Sequence, residues 1–218
     1  MKRLTKDRVW AAVLGGAVFL QGLMLLLLDS FSPLAVAQCL LVTGVLAFAT
    51  LEAWLRRGQL NHRVDMVLVM TALGGLGMIL GWWVDFGCQE APEWLRLGLA
   101  PPRPWHFTDK VLSFMTLGML IGGIPPSLFV TRCARLARGN PRRFFSTHIL
   151  GNAAMIVGMI VFNRLYGKAF GRFLGSYVAG AHLAMLVGMA LGMVAGMWLG
   201  EALMGLRPWR EGRVGLEE

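Results

Sequence analysis

Charged residues, cysteines and recognisable catalytic motifs are all scarce in this sequence of 218 residues. Only 15% of the residues are charged, against about 25% in a typical soluble domain, yet the formal net charge is +9. The basic residues stand between apolar runs rather than on one amphipathic face. This arrangement excludes a nucleic-acid-binding surface and favours a membrane protein with basic flanks.

The few cysteines exclude two further classes of protein. Cys39, Cys88 and Cys133 are too scattered for a disulfide framework, and no CxxC or Cys/His zinc spacing is present. The sequence also contains no phosphate-binding loop, nucleophile elbow, zinc-protease motif or EF-hand. We therefore predict that the chain is not an enzyme.

Long apolar runs, by contrast, dominate the chain, of which 56% is hydrophobic. A bilayer core of about 30 Å requires roughly 20 apolar helical residues, and six runs meet this length. The sequence therefore predicts an all-α, polytopic membrane helix bundle with six transmembrane helices in a single membrane domain, 1–218. The predicted spans are 9–28, 34–55, 64–84, 111–130, 147–166 and 177–204.

The distribution of Lys and Arg predicts the orientation of these spans. With the N-terminus in the cytoplasm, the segments on that side hold 15 Lys and Arg residues, and the opposite side holds 6. Both termini are therefore expected in the cytoplasm of a bacterial-type inner (plasma) membrane, with 207–218 as a cytoplasmic tail. The basic segment 131–143 is expected to contact anionic lipid headgroups at the cytoplasmic face. The N-terminus also resembles a signal peptide, but its apolar run exceeds the usual 7–15 residues.

All four histidines and most of the methionines lie after residue 57. This distribution divides the chain into a flanking helix pair, 1–56, and a four-helix bundle rich in His, Met and Gly, 57–206. Each of the last four spans has a histidine at or near its start, and the pattern allows either an internal duplication or chance similarity. We expect His148, which follows Ser146 and Thr147, to lie in the first turn of a capped helix. The four histidines are His62, His106, His148 and His182.

Residues 182–201, HLAMLVGMALGMVAGMWLGE, combine a row of methionines with a row of glycines, each at four-residue spacing. Small residues at this spacing let helix backbones approach closely, and flexible Met side chains fill gaps beside such a groove. One interpretation is therefore a close-packing seam. Similar small pairs in the other spans are Gly77/Gly81, Gly118/Gly122 and Ala154/Gly158.

A second interpretation is soft-metal binding, because thioethers prefer Cu(I) to hard cations. The paired MxxxM and GxxxG spacing of 182–201 resembles, in motif only, the Ctr-type copper transporters, a family with three spans per subunit. This resemblance implies copper transport. Four residues turn a helix by about 400°, so the methionine row spreads over about 120° and cannot face one straight pore. The candidate ligands are His182, Met185, Met189, Met193, Met197, Met155, Met159, His148, Met115 and Met119.

Two further functions remain open from the sequence. The chain could be a non-catalytic structural or accessory subunit of a larger membrane complex, with membrane-protein partners or copies of itself. Alternatively, the four histidines could hold haem b in pairs, as in a membrane electron carrier. Acidic residues near the ends of the spans, such as Asp65 and Glu201, are expected either to extend toward the headgroups or to pair with a neighbouring arginine.

Overall fold

The computed structural model describes residues 2–28, 31–86, 113–170 and 177–206, and within these ranges all regular structure is helical. Five helices are long and apolar enough to cross a membrane, and Phe114–Val130 is apolar but only 17 residues long. The predicted all-α, multi-pass architecture is thus confirmed, whereas the count of six spans and the side of the termini stay predictions. The five long helices are Lys6–Leu28, Pro33–Leu55, His62–Asp85, Pro141–Ala169 and Val178–Leu203.

Two of the long helices, His62–Asp85 and Pro141–Ala169, are composite, because they combine α-helices with π-helical segments. A π-helical segment carries an extra residue in the turn and is frequently found at functional sites. These segments are Met70–Gly74, Phe145–Leu150 and Tyr166–Phe170. The α-helices are α1 (Lys2–Leu28), α2 (Pro33–Leu55), α3 (His62–Val69), α4 (Gly75–Phe86), α5 (Phe114–Val130), α6 (Arg132–Ala137), α7 (Pro141–Phe144), α8 (Gly151–Leu165) and α9 (Tyr177–Leu203), with a 3₁₀ turn at Arg57–Gln59.

Capping side chains explain where the helices begin. Each cap accepts a hydrogen bond from a backbone N–H of the first helical turn, which would otherwise lack a partner. Asp85 adds a second cap to α5, since its carboxylate accepts hydrogen bonds from the N–H groups of Phe114 (3.1 Å) and Met115 (2.9 Å). Asp85 thereby ties the end of α4 to the start of α5. The five capping residues are Ser32, Asn61, Ser113, Thr131 and Asn140.

The helices pack in consecutive pairs: α1 with α2, α4 with α5, and α8 with α9. Helix α9 contacts elements beyond its own pair. It contacts α8 and the segment Phe145–Leu150, and it also contacts α1, α3 and the segment Met70–Gly74. The outer surface carries large apolar side chains that are 70% or more exposed, as expected for contact with lipid rather than water. Examples are Leu27, Leu34, Ile121, Phe129 and Leu203.

Pro125 and Pro126 lie inside α5, which ends at Val130 as the sequence predicts. One boundary differs from the prediction. The fifth predicted span begins at Pro141 rather than near 147, because Asn140 and Pro141 form the helix start. Proline is well accommodated at the first helical position, where its missing N–H has no intrahelical partner to lose.

Candidate functional site

A glycine seam joins α8 to α9. A methyl group placed on Gly158 would lie less than 3.0 Å from the carbonyl oxygen of Gly188, and one placed on Gly188 would meet the carbonyl of Gly158 in the same way. The seam continues toward the end of α9, where Gly192 lies against the carbonyl oxygen of Ala154 and Gly196 lies against that of Leu150. Because the contacting atoms are backbone, only glycine permits this approach.

A second seam joins α4 to α5 with the same reciprocal contact. Methyl groups on Gly77 and Gly118 would each collide with the carbonyl oxygen of the other residue. On either side, Gly81 lies against the carbonyl of Phe114, and Gly122 lies against that of Leu73. The packing interpretation of the glycine row is therefore confirmed in both helix pairs.

The methionines of α9 all face the protein interior. Met185, Met189, Met193 and Met197 are each at most 2% exposed. Although these methionines are spread around the helix, none of them is exposed to lipid. Helix α8 covers the glycine side of α9, and α1, α3 and the segment Met70–Gly74 also contact α9. They belong to one apolar core, whose methionines are Met66, Met70, Met78, Met119, Met155, Met159, Met185, Met189, Met193 and Met197.

Two methionines refine the predicted ligand set. Met115 is only partly buried and packs against the edge of this core. Met66, which is fully buried, was not among the candidates named from the sequence. It lies four residues before Met70, so the same MxxxM spacing that singled out α9 was the signal that could have found it.

His148 is buried, with 3% of its surface exposed, and neither ring nitrogen has a hydrogen-bond partner among the described residues. The ring of Phe144 lies beside it, with 4.8 Å between centroids and a 45° tilt. The prediction of a capped first turn is wrong for this residue, since the helix begins seven residues earlier and His148 lies inside Phe145–Leu150. An imidazole without partners in the protein interior is an unusual and costly arrangement.

The π-helical segment that carries His148 packs directly on α9. The hydroxyl of Ser146 donates a hydrogen bond to the carbonyl oxygen of Met197 (3.2 Å). A methyl group on Gly151 would lie 3.0 Å from Cγ of Met197 and 3.8 Å from Cγ of Met193. His148 lies between Ser146 and Gly151 in the chain, which places it near the level of Met193 and Met197 along α9.

His182 lies at a different place, buried between α9 and α1. Its Nε2 is 2.9 Å from Oε1 of Gln21. The amide nitrogen of Gln21 donates to the carbonyl oxygens of Thr71 (3.1 Å) and Ala72 (2.7 Å), in the π-helical segment Met70–Gly74. Gln21 was missed from the sequence, although it is a lone polar amide in the apolar run 9–28, and polar groups in membrane spans are often functional.

Ion pairs close the end of the bundle at which α1 begins, here called the basic end. Asp65 is fully buried, and its carboxylate accepts hydrogen bonds from Nε of Arg132 (2.8 Å), Nη2 of Arg132 (3.1 Å) and the Arg132 backbone N–H (3.1 Å). Arg63 pairs with Glu201 at 2.5 Å. Of the two arrangements expected for these acidic residues, pairing with a neighbouring arginine is the one observed.

Two more groups complete the basic end. Arg57 pairs with Asp7 at 2.5 Å, and its guanidinium lies 4.2 Å from the ring centroid of the buried Trp54. Burial lowers the pKa of this guanidinium. The thiol of Cys133 donates to the carbonyl oxygen of His62 (3.0 Å), and burial raises the pKa of that thiol. Cys133 is therefore held as a neutral thiol beside the ion pairs.

The donor atoms in the interior are mainly thioethers. Among the described residues, no three His, Cys, Asp or Glu side chains come together in a way that could hold a metal ion. Hard and borderline cations therefore lack a site of that kind in this part of the chain, and the interior offers thioether sulfur with one unpartnered imidazole. His106 lies outside the described residues, so pairing of the histidines around haem b stays a prediction.

Comparison with known proteins gives no further assignment. The sequence matches no protein family, no curated protein and no solved structure.

Proposed function

We propose that this chain is an integral membrane protein that binds Cu(I) in its methionine core, with His148, Met193 and Met197 as ligands near the basic end. The observation that supports this proposal most strongly is the buried His148 imidazole, whose nitrogens have no partner among the described residues. Coordination of a soft ion would supply that partner. The thioethers nearby are soft donors that favour Cu(I) over harder cations.

The charge balance favours a monovalent ion. Imidazole and thioether ligands are neutral, so the bound ion keeps its full charge inside the bilayer. The Born cost of burying an ion rises with the square of its charge, so a divalent ion costs about four times as much as Cu(I) in the same environment. The carboxylates of Asp65 and Glu201 are already paired with arginines, so they do not offset a second charge.

The remaining core methionines extend the proposed site into a route. Residues four apart on α9 rise by about 6 Å along the helix axis, and Met189 and Met185 continue the row beyond Met193. Met155 and Met159 of α8 and Met119 of α5 lie in the same core. We propose that Cu(I) moves between such thioethers, and that Met115 marks the edge of this route. The excess of Lys and Arg on one side supports a bacterial-type inner-membrane location with that side against anionic lipid.

Copper binding by the purified protein tests this proposal. The protein is purified in detergent without oxygen and titrated with Cu(I) against a competing chelator. The double variant Met193→Leu/Met197→Leu removes two sulfur atoms while keeping side-chain volume, and Met204→Leu, near the end of α9 and outside the core, is the matched control.

Wild type and Met204→Leu are expected to bind copper equally, whereas the double variant and His148→Phe each lose one equivalent. Equal copper content in the double variant and the control overturns the proposed site. A wild-type protein that binds no Cu(I) overturns the proposed function as a whole.

A further inference from the structure

The hydrogen bonds of Gln21 determine which nitrogen of His182 carries a proton. Two carbonyl oxygens, of Thr71 and Ala72, accept hydrogen bonds from the Gln21 side chain, so its amide nitrogen must point toward them. The amide oxygen therefore faces His182. Because this oxygen can only accept, Nε2 of His182 must be the donor. In the neutral ring, Nδ1 then carries a free lone pair.

Gly75 makes room for this arrangement. A methyl group at Gly75 would lie 2.7 Å from Oε1 and 3.0 Å from Nε2 of Gln21, too close for an ordinary contact. The amide of Gln21 is thus held in one orientation by α1, α4 and the π-helical segment. His182 is 5% exposed and receives a fixed orientation from this amide.

His182 lines a cavity of about 40 Å³ between α1, α2 and α9. The wall also includes the buried Cys39 of α2, together with Gln21 and Thr43, and it is otherwise apolar. Since Nε2 is occupied by Gln21, Nδ1 is the nitrogen left to bind a ligand there. The cavity exceeds the 10–15 Å³ that a single water-sized group requires, so one metal ion fits.

We infer that Cys39 and His182 form a second soft-metal site, in which Cu(I) is bound by Sγ of Cys39 and Nδ1 of His182 and Gln21 positions the imidazole. A histidine that binds a metal commonly donates its other ring N–H to an oxygen acceptor, which fixes the tautomer. Gln21 provides that acceptor. The identity of the ion rests on the proposed function, whereas the residues of this second site are different.

The charges balance without any further group. Binding converts the Cys39 thiol to a thiolate, so a Cu–S bond replaces the S–H bond and one proton passes to the surrounding water. Thiolate, Cu(I) and neutral imidazole together carry no net charge. A neutral centre avoids the penalty for burying a charge at bilayer depth, whereas a divalent ion with the same two ligands would keep one positive charge.

Cu(I) titration of cysteine variants tests this second site. Cys39→Ser replaces the sulfur by a hydroxyl, and Cys133→Ser is the matched control, because Cys133 is an equally buried thiol at the basic end. Copper content is measured together with the ultraviolet absorption of the copper–thiolate bond. Gln21→Leu serves as a test of positioning, and its elution profile in size exclusion reports whether it folds.

We expect Cys39→Ser to lose one equivalent of copper and the thiolate absorption, and Cys133→Ser to keep both. Gln21→Leu, if it elutes as wild type does, should keep Cys39 but bind this ion at least about tenfold more weakly. Unchanged copper content and absorption in Cys39→Ser overturn this inference alone. Loss in Cys39→Ser with full binding in Met193→Leu/Met197→Leu overturns the methionine site alone.

Discussion

Replacing Gly158 by alanine should destabilise the protein by separating α8 from α9. The added methyl group would lie less than 3.0 Å from the carbonyl oxygen of Gly188, whereas ordinary contacts of this kind begin near 3.4 Å. The obstructing atom belongs to the backbone, so no side chain can rotate away. The two helices must therefore move apart by roughly half an ångström or more, which also weakens packing along the rest of the seam.

The expected magnitude follows from comparison with glycines in open positions. Overpacking a tight contact costs about 1–3 kcal/mol, while alanine gains up to about 1 kcal/mol over glycine in a helix interior. Gly16 and Gly44 are helical glycines at which a methyl group would meet nothing within 4 Å. Gly158→Ala should therefore be less stable than Gly44→Ala by about 1–3 kcal/mol, since the helix-propensity gain is common to both.

Reversible denaturation in mixed detergent micelles measures these differences. The Gly188→Ala variant should behave like Gly158→Ala, and the double variant should cost less than the sum of the two, because one methyl group already separates the helices. Equal stability of Gly158→Ala and Gly44→Ala would show that the carbonyl of Gly188 does not limit how closely α8 approaches α9. Strict additivity of the two seam variants would show that the contact is not shared.

Three further outcomes follow from the polar contacts and the charge distribution. Asp65→Asn should destabilise the protein by about 3 kcal/mol in the same denaturation assay, which is the low end for a broken buried pair because Arg132 is partly exposed. The control Glu52→Gln breaks the exposed pair with Arg56 and should change stability by less than about 0.5 kcal/mol. Equal effects of the two variants would show that burial does not strengthen the Asp65 pair. Gln21→Leu leaves two carbonyl oxygens and His182 without their hydrogen bonds and should lower the free energy of unfolding by about 1–3 kcal/mol. The control Gln38→Leu, at an exposed position, should be nearly neutral. A Gln21→Leu variant as stable as wild type would show that these hydrogen bonds do not stabilise the protein. A reporter that is active only in the cytoplasm should be active when it is fused after Glu218. Activity of a reporter that folds only outside the membrane would overturn the predicted topology.

Much of the helical architecture could be predicted because local chemistry and membrane thickness point to the same result. Apolar length identified the long helices, and the four-residue spacing of small residues identified both seams, since close helix contact requires small residues at that interval. The pairing of Asp65 and Glu201 with arginines was one of the two arrangements expected, because an unpaired charge at this depth is costly.

The partners of each side chain were harder to predict, because they depend on which helices become neighbours. The 120° spread of the α9 methionines indicated only that they cannot all face one straight pore, and it did not predict that contacts with several helices bury all four. His148 was assigned to a helix start because Ser146 and Thr147 resemble caps, whereas Asn140 and Pro141 provide the actual start. The contact between Gln21 and His182 joins residues 161 positions apart in the chain, and no local pattern encodes it.

X-ray absorption at the copper edge tests copper binding in the methionine core directly, measured on anaerobic Cu(I)-loaded protein that carries Cys39→Ser so that only the methionine site remains. We expect about one copper per chain with sulfur and nitrogen ligands, and loss of this ion on adding Met193→Leu and Met197→Leu but not Met204→Leu. Absence of bound copper, or a coordination shell without sulfur, would contradict the proposed methionine site.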